Sequence, residues 1–467
     1  MENTKTSNQN ELNDSSISNN EAAVKTAPER IFKVGIIGLG CRGESMTGLV
    51  AERDDVCITA VCDVYDDRVS MMQERLAAQG LPRPVGYTDY HRVIDSPDTE
   101  VIFVFAAWEA HVDIAVAAME AGKPVAFEVG GAYTIDDCRR LVETYERTRT
   151  PAMMLENCMY GIREMTVTEM ARDGVFGEIM HVDGGYMHDL RSEISFGERN
   201  RHYRLRNYLA RNCENYPTHE LGPICRLLEI NEGNSFVSLA SFASASRGIN
   251  DYAARTPGVP AELRDAHFAQ GDVVTTILTT ARGQTVKLTL DTTLARPYSR
   301  GLTVHGTRGY FSEDTLSVYS DSENTEADHF KWREFWGNFD SWRERYQPEL
   351  WREYTESGIK RGHGGMDFLV IDAFMTSLHE GEPMPIDIYD AAVMMAVTPL
   401  SELSISRGGM PVAFPRFGGE GTVTLASPAA EQDNTNNINN ISNHDASNKD
   451  NAKTTPRCHT KYALHRI

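Results

Sequence analysis

Five short clusters of titratable and aromatic residues lie outside the obvious core patterns of this sequence. They occupy positions 108–111 (WEAH), 128–131 (EVGG), 186–191 (YMHDLR), 215–219 (NYPTH) and 296–300 (RPYSR). Histidine, glutamate and tyrosine are side chains that exchange protons with substrates, and arginine offers several hydrogen-bond donors. Each cluster alone also fits a structural role, as a core tryptophan, a hairpin end or a solvated bend. Together they predict acid–base chemistry on a polar ligand.

A glycine-rich fingerprint precedes these clusters. Gly38, Gly40 and Gly43 follow an apolar run with GxGxxG spacing, and Asp63 ends the next apolar run, about 20 residues on, where an acid would bind a ribose 2′-hydroxyl. In a strand–turn–helix unit these glycines allow the tight turn, the approach of a pyrophosphate and close helix packing. The pattern predicts a dinucleotide site, with a structural turn as the alternative. Asp63 favours NAD over NADP, because a carboxylate repels a 2′-phosphate.

Metal binding and nucleophilic catalysis are the competing chemistries. His111, His219 and His363 are candidate metal ligands, but zinc ligands commonly pair at short spacing, as in HExxH, and no such pair occurs. A serine nucleophile is disfavoured because the sequence has no GxSxG elbow. We therefore expect no metal.

The elements that must position these residues fall into two groups. Strands at 34–37, 56–62, 101–105, 125–128 and 152–155 alternate with helices at 67–79, 111–121 and from Thr134. This α/β alternation predicts a Rossmann domain with a doubly wound parallel sheet, in which ligands bind at the carboxyl ends of the strands. The clusters at 108–111 and 128–131 follow two of these strands.

After Asn157 the hydrophobic period changes. A helix at 162–172 precedes strands at 178–188, 235–243, 273–281, 284–292, 302–305 and 310–312, and helices at 367–378 and 387–406 close the pattern. The strands at 273–281 and 284–292 flank a hairpin turn at Arg282 and Gly283. Alternation along 284–292 predicts an α+β domain whose mainly antiparallel sheet has one open face, with the last helices packed back on the first domain.

Polar, low-complexity segments lie at both ends of the chain. We predict disordered tails at 1–30 and 421–467, an NAD-binding Rossmann domain at 31–155 and a substrate-binding domain at 156–420.

The composition excludes several classes of partner. The 467-residue chain has a formal net charge of −21, which argues against nucleic acid or an anionic membrane surface. The sequence lacks an apolar run of about 18 residues, as a membrane span would need. Its eight cysteines have no metal or redox spacing, and its start lacks a secretory signal pattern. We expect a cytoplasmic protein.

The motifs resemble a known superfamily. The fingerprint, Asp63, AAWEAH and EVGG resemble the glucose-fructose oxidoreductase and inositol dehydrogenase superfamily (Gfo/Idh/MocA). Within it, MMLENCMYG, GGYMHDLR, HYRLRNYLARNCENYPTHELGP, RPYSR and HGGMD are similar to glycoside hydrolase family 109, the NAD-dependent α-N-acetylgalactosaminidases. The resemblance covers about 31–416.

Three positions depart from the patterns of these families. Sugar dehydrogenases of the superfamily usually read Glu-Lys-Pro where this chain has Glu128, Val129 and Gly130, and that lysine assists hydride transfer. The glycosidase branch reads Glu-Val-Pro, so only Gly130 differs from it. Ala110 stands where a second tryptophan is usual, and Glu220 stands where glycine is common.

The resemblance implies roles for individual residues. The implied cofactor shell is Gly38, Gly40, Arg42, Gly43, Asp63, Trp108, His111, Glu128, Val129 and Asn157, with Tyr216 and His219 beside the nicotinamide. The implied sugar-binding residues are Tyr186, Arg204, Tyr216 and Tyr298. His219 or Tyr298 would serve as acid and base, and Tyr216 would orient the substrate.

The resemblance also implies a mechanism. The C3 hydroxyl of the sugar is oxidised, the C2 proton is removed, the glycosidic oxygen leaves C1, water adds and the hydride returns. The alternatives are an NAD-dependent sugar dehydrogenase and a non-catalytic sugar or NAD sensor. The expected partners are a small-molecule or glycan substrate and a second copy of the chain, through the open face or edge of the C-terminal sheet.

Overall fold

The computed structural model describes residues 30–323, 332–360 and 362–418. The predicted tails lie outside the described residues, apart from Arg30.

The first sheet consists of six parallel strands. They are β1 (Phe32–Ile37), β2 (Val56–Cys62), β3 (Val85–Tyr87), β4 (Val101–Val104), β5 (Val125–Phe127) and β6 (Ala152–Met154). Their spatial order is β3-β2-β1-β4-β5-β6, and β1 pairs in parallel with both β2 and β4. Strand β4 is buried on both faces, because helices cover a parallel sheet on each side. The predicted doubly wound sheet is confirmed, and β3 is an additional edge strand.

Five helices connect these strands. They are α1 (Cys41–Ala51), α2 (Asp66–Ala78), α3 (His91–Ile94), α4 (Trp108–Glu120) and α5 (Ile135–Thr148). Thr134 and Asp137 form a capping box at the start of α5, as its predicted start requires. The helix predicted from 111 begins at Trp108, so the WEAH cluster forms the first turn of α4.

The second sheet has eight strands. They are β7 (Ile179–Met187), β8 (Phe236–Ala243), β9 (Val273–Thr280), β10 (Thr285–Asp291), β11 (Thr303–Gly306), β12 (Gly309–Ser312), β13 (Ser317–Ser320) and β14 (Val412–Ala413). Their order is β13-β12-β11-β7-β10-β9-β8-β14. Only β7 and β10 pair in parallel within this sheet of described strands; the other pairs are antiparallel. Val286, Leu288 and Leu290 are buried while their neighbours on β10 are partly exposed, which confirms the open-faced sheet.

Nine further helices surround this sheet. They are α6 (Ile162–Arg172), α7 (Arg191–Ser195), α8 (Arg204–Ala210), α9 (Thr218–Leu227), α10 (Gly248–Arg255), α11 (Phe339–Tyr346), α12 (Glu349–Ser357), α13 (Met366–Glu380) and α14 (Ile388–Ser406), counted among the described residues. A short 3₁₀ turn, Asn157–Tyr160, links β6 to α6. Helices α7 to α12 were not predicted.

The last two helices pack back on the first domain, as predicted. Phe374 of α13 meets Phe103 of β4 with ring centroids 5.4 Å apart, and α14 packs between β8 and α5. By length and composition α14 could cross a bilayer, but 78% of its apolar window is buried inside the protein. That burial is typical of a core helix.

Glu214 is a buried acid in the segment before α9. It is fully buried, and its carboxyl oxygens have no side-chain partner among the described residues. Burial raises its pKa to about 8, although the backbone amide of Tyr216 opposes part of the rise. The folded protein therefore keeps a proton at neutral pH that the unfolded chain loses.

We predict that the Glu214→Gln variant is less sensitive to alkaline pH than the wild type. The folded pKa lies above the ordinary value of 4.5, so the contribution of the protonated acid to stability is present at low pH and is lost as pH rises from 4.5 towards 8. The melting temperature of the variant should therefore rise relative to that of the wild type between pH 5 and pH 8. Glu262→Gln, at an exposed carboxylate, is the control; an equal difference at both pH values for Glu214→Gln would contradict the prediction.

Candidate active site

The glycine loop between β1 and α1 has the geometry of a phosphate cradle. Gly38 has φ +98°, and side chains at Gly38 or Gly43 would collide with the backbone of Ala106 or of Gly38 itself. A side chain at Gly40 would meet nothing closer than an Arg68 nitrogen at 3.7 Å. Two glycines therefore allow close packing and the third faces open space at the start of α1, so the loop fits a dinucleotide pyrophosphate.

Asp63 lies beside this loop at the carboxyl end of β2. One of its carboxylate oxygens accepts a hydrogen bond from the Leu39 amide at 2.8 Å, and the other accepts one from the Tyr65 amide at 3.0 Å. The acid is thus fixed against the glycine loop, at the position that a ribose-binding carboxylate occupies in this architecture.

Arg42 ties the glycine loop to two other parts of the chain. Its Nε donates to Glu128 at 2.7 Å, and its two terminal nitrogens donate to the carboxylate of Asp367 on α13 at 2.7 and 2.9 Å. Asn157 donates to the same carboxylate at 2.6 Å. Burial opposes ionisation of Asp367, but hydrogen bonds from His363 and Arg42 hold its pKa far below its usual range. Asp367 was not among the predicted site residues.

Trp108 and His111 support the loop after β4. Trp108 is buried, and a side chain at Gly130 would collide with its indole. The His111 Nε2 lies 2.9 Å from the carbonyl oxygen of Ala106, and burial lowers the pKa of His111 to about 4. A neutral His111 therefore anchors the chain next to the glycine loop.

Three tyrosines and His219 form an aromatic cluster beside the cofactor groove. Tyr186 lies at the end of β7, Tyr216 and His219 at the start of α9, and Tyr298 on the segment after β10. The Tyr186 ring centroid is 4.5 Å from that of Tyr216, 5.5 Å from that of His219 and 6.1 Å from that of Tyr298. Tyr216 also packs on Trp108. The sequence-predicted sugar and cofactor residues thus meet at one place.

Arg204 supplies the positive charge of this cluster. It is buried on α8, with its guanidinium carbon 4.9 Å from the Trp108 ring centroid and 5.0 Å from that of Tyr216. It pairs with Glu193, and its Nη1 has no hydrogen-bond partner among the described residues. A buried donor without a partner is costly, so Arg204 is suited to bind a polar ligand.

Glu156 and His219 form a carboxylate–imidazole pair. Glu156 is fully buried, and one of its oxygens lies 2.8 Å from Nδ1 of His219. Burial opposes ionisation, but the neighbouring His219 keeps the pKa of Glu156 below its usual value. Because Nδ1 is held by the carboxylate, Nε2 is the nitrogen that can exchange a proton with a ligand. Sequence reasoning missed Glu156, although it lies two residues after the parallel strand β6, at the end of the sheet where ligands bind.

Tyr298 and Tyr186 are protonated phenols at neutral pH. Tyr298 is 52% exposed, and the partial burial of its ring raises its pKa, to which Cys158 adds. Burial also raises the pKa of Tyr186 to about 12, and its hydroxyl lies 2.9 Å from Nδ1 of His188. Each phenol can therefore donate a proton but cannot easily act as a base.

The candidate metal ligands named from sequence are not brought together. His111 contacts Ala106, and His363 contacts Asp367 at 2.8 Å. Within the described residues, Glu156, Cys158 and His219 do place three ligand atoms within 4.8 Å of one another. Within this group Nδ1 of His219 lies 2.8 Å from Glu156, a contact that can also orient the imidazole for proton transfer.

A strap at 196–206 crosses from the second domain to the first. Arg201 binds both carboxylate oxygens of Asp67 at 2.8 and 2.7 Å, and Arg68 donates to the Asn200 carbonyl at 3.1 Å. Arg206 pairs with Glu109 in the first turn of α4. The strap is therefore attached to α2 and α4, which follow the strands on either side of β1.

Two family models match the chain. "Oxidoreductase family, NAD-binding Rossmann fold" matches residues 32–155, and "Glycosyl hydrolase 109, C-terminal domain" matches residues 160–422. The structural neighbours include levoglucosan dehydrogenase in complex with NADH and L-sorbose (TM-score 0.61, 17% identity, 83% of this chain and 100% of that chain). Another is myo-inositol 2-dehydrogenase from Lactobacillus plantarum (TM-score 0.58, 16% identity, 82% and 100%). At these identities the likeness concerns the fold.

Curated relatives match over most of the chain. A glycosyl hydrolase family 109 protein of Stenotrophomonas maltophilia is 34% identical, covering 83% of this chain and 89% of the relative. An α-N-acetylgalactosaminidase of Tannerella forsythia is 34% identical, covering 83% and 86%. Since its second domain matches the family model and relatives bearing the family name align along both domains, this chain belongs to glycosyl hydrolase family 109, with an NAD-binding Rossmann domain of the Gfo/Idh/MocA type.

Proposed function

We propose that the protein is an NAD-dependent glycosidase that hydrolyses terminal α-N-acetylgalactosamine or a related hexosaminide. The observation that carries the proposal is the Glu156–His219 pair, which presents an oriented imidazole to the aromatic cluster beside the cofactor groove. Relatives named α-N-acetylgalactosaminidase support the choice of sugar.

The proposed route divides the chemistry between the cofactor and the chain. Bound at the glycine loop, NAD would supply hydride acceptance from C3 of the sugar and its later return, so that no cofactor is consumed. The proton of the C3 hydroxyl would pass to solvent as the hydride leaves and be regained when it returns. A ketone at C3 acidifies the neighbouring C2–H bond, so a base of modest strength can remove that proton. Loss of the C2 proton then expels the glycosidic oxygen from C1, and water adds to the resulting double bond.

His219 is the base in this proposal and Tyr298 is the acid. Nε2 of His219 takes the C2 proton, while the Glu156 carboxylate holds Nδ1 and stabilises the imidazolium that forms. Tyr298 remains a phenol because partial burial raises its pKa, so it can donate its proton to the departing glycosidic oxygen and regain one from the water that adds at C1. The contact of Glu156 with Nδ1 of His219 supports the imidazole as the base and leaves Tyr298 for the acid.

The other cluster residues bind and orient the sugar. Nη1 of the buried Arg204 donates to a sugar oxygen, and Tyr186 and Tyr216 form the wall against which the ring packs. At the turn where related dehydrogenases carry lysine, this chain has the buried Val129, so no ammonium group acts there. This residue favours the glycosidase over the dehydrogenase alternative.

We predict that Glu156→Gln lowers kcat through His219. The variant should lose on the order of 10- to 100-fold in kcat with NAD content unchanged, because the imidazolium loses its carboxylate partner. Steady-state hydrolysis of an aryl α-N-acetylgalactosaminide measures the effect. When Glu156→Gln is added to the His219→Gln variant, kcat should fall little further, since the two residues act as a unit. Additive losses, or a loss matched by the surface control Glu169→Gln, would contradict the assignment.

Hydrolysis in D₂O should label the released sugar at C2. The proposed route removes the C2 proton, whereas direct displacement at C1 through an oxocarbenium-like state leaves it in place. Mass spectrometry or NMR of the product measures the label. Thioglycosides should also be cleaved, because departure from C1 is driven by the carbanion at C2. Product without deuterium at C2, together with inert thioglycosides, would eliminate this mechanism.

We also propose that a second copy of the chain packs on the open sheet face. Asp183 on that face pairs with Lys287 and lies 3.3 Å from Nε2 of His305, and Tyr310 is exposed beside them. Tyr310 supplies an exposed aromatic side chain of the kind enriched at protein interfaces, and the Asp183–Lys287 pair would supply polar groups for the rim. Sedimentation analysis should show a wild-type oligomer that Asp183→Lys dissociates; a wild-type monomer would refute the proposal.

A cytoplasmic location is part of the proposal. The seven cysteines among the described residues are free thiols, most of them buried in the cores. Free thiols in this number are typical of a reducing compartment.

A further inference from the structure

We infer that Arg300, Glu164 and Glu220 form a buried charge node that positions Tyr298 relative to His219. None of the three was assigned a role above, and all are buried. The inference deepens the proposed function, because the expected effect of the node on kcat rests on the proposed glycosidase reaction. Whether the node holds Tyr298 in place can be tested without that reaction.

The node joins residues that lie far apart in the sequence. A terminal nitrogen of Arg300 donates to Glu164, and Nε of Arg300 lies 3.8 Å from a carboxylate oxygen of Glu220. Nη1 of Arg300 and both oxygens of Glu220 have no hydrogen-bond partner among the described residues. Three polar side chains thus meet in the buried interior, where the removal of one would leave the others without their charged partner.

Each member of the node is next to a residue of the proposed active site. Glu220 directly follows His219 in the first turn of α9, and Arg300 follows Tyr298 by two positions. Glu164 lies on α6, just after the turn that carries Glu156. The contacts therefore connect the elements that carry the base, its carboxylate and the acid.

The segment with Tyr298 has other anchors besides Arg300, since the side chains of Ser299 and Arg296 donate to Asp314 and Asp291. The amide of Met187 donates to the Ser299 carbonyl at 3.1 Å, and the amide of Ser299 donates to the Met187 carbonyl at 3.0 Å. This bridge fixes the segment to the end of β7. Arg300 fixes the residue after the bridge, so Tyr298 projects towards Tyr186 from a point that is held on its C-terminal side.

Space for the two acids is built into the backbone. A side chain at Gly184 would collide with Glu220, and a side chain at Gly161 would collide with Glu164. Both glycines have φ outside the left-handed region, so their conformations do not require glycine. Glycine at these two positions therefore leaves the space that the side chains of Glu220 and Glu164 occupy.

The charges of the node do not balance if both acids are ionised. One guanidinium faces two carboxyl groups, and Glu313, which pairs with Arg163 at 3.1 Å, adds a further negative charge nearby. Burial raises the pKa of both Glu164 and Glu220, but of the two only Glu164 accepts a hydrogen bond from Arg300. Glu164 is therefore the ionised partner of Arg300, and Glu220 carries a proton.

The test compares four variants of the full-length protein. Glu164→Gln removes the countercharge of Arg300, Glu220→Ala removes the packed acid, and Glu220→Gln keeps the shape of a neutral acid. Glu169→Gln, a partly exposed position on the same helix as Glu164, is the control. We expect Glu164→Gln and Glu220→Ala to lower kcat for an aryl α-N-acetylgalactosaminide by about 10-fold or more, with KM and NAD content within about threefold of wild type. Glu220→Gln should stay within about threefold of the wild-type kcat.

A second measurement does not depend on turnover. A 3-fluorotyrosine at position 298 should shift or broaden its ¹⁹F signal in Glu164→Gln and Glu220→Ala but not in Glu220→Gln or Glu169→Gln. If Glu164→Gln does not fold, Arg300→Lys provides the same comparison. Unchanged ¹⁹F spectra in folded node variants would overturn the inference. A Glu220→Gln variant as impaired as Glu220→Ala would overturn the protonation assignment. If the wild type hydrolyses no hexosaminide, the proposed function fails while the ¹⁹F result still decides whether the node exists.

Discussion

The ion pair between Arg42 and Asp367 is the contact on which the arrangement of the two domains most depends. It joins the first turn of α1 to the first turn of α13, 325 residues later, and Asn157 and Glu128 complete the network. Removal of one partner would leave a buried charge uncompensated, a change that typically costs about 3 to 5 kcal/mol. The glycine loop and the helix that closes the second domain are therefore fixed by the same guanidinium.

The aromatic cluster depends on this arrangement, because its residues come from both domains. Trp108 belongs to α4, whereas Tyr216 and Arg204 belong to the second domain, and they stack on one another. Rings packed in this way exclude water, which is why Tyr186 has a pKa raised to about 12 and Glu156 needs His219 in order to remain ionised. The chemistry proposed for this site thus relies on the docking of the domains as much as on the side chains themselves.

Local sequence patterns predicted most strands and the glycine loop, since these depend on neighbouring residues. The run at 56–62 and the helix at 162–172 have the predicted bounds. Glu156 and Asp367 were missed because their roles arise from pairing with His219 and Arg42, 63 and 325 residues away. Helices α11 and α12 were missed because each is short and packs only a few aromatic residues, so their apolar period is brief.

The strap at 196–206 has a consequence for the order of assembly. Its arginines bind α2 and α4 on either side of the glycine loop, so a dinucleotide lying in that groove is enclosed by chain from both domains. Once the strap is docked, exchange of the nucleotide is opposed by the pairs of Arg201 with Asp67 and of Arg206 with Glu109, which are partly exposed and so slow exchange without preventing it. We therefore expect a cofactor to load faster before the strap docks than after it.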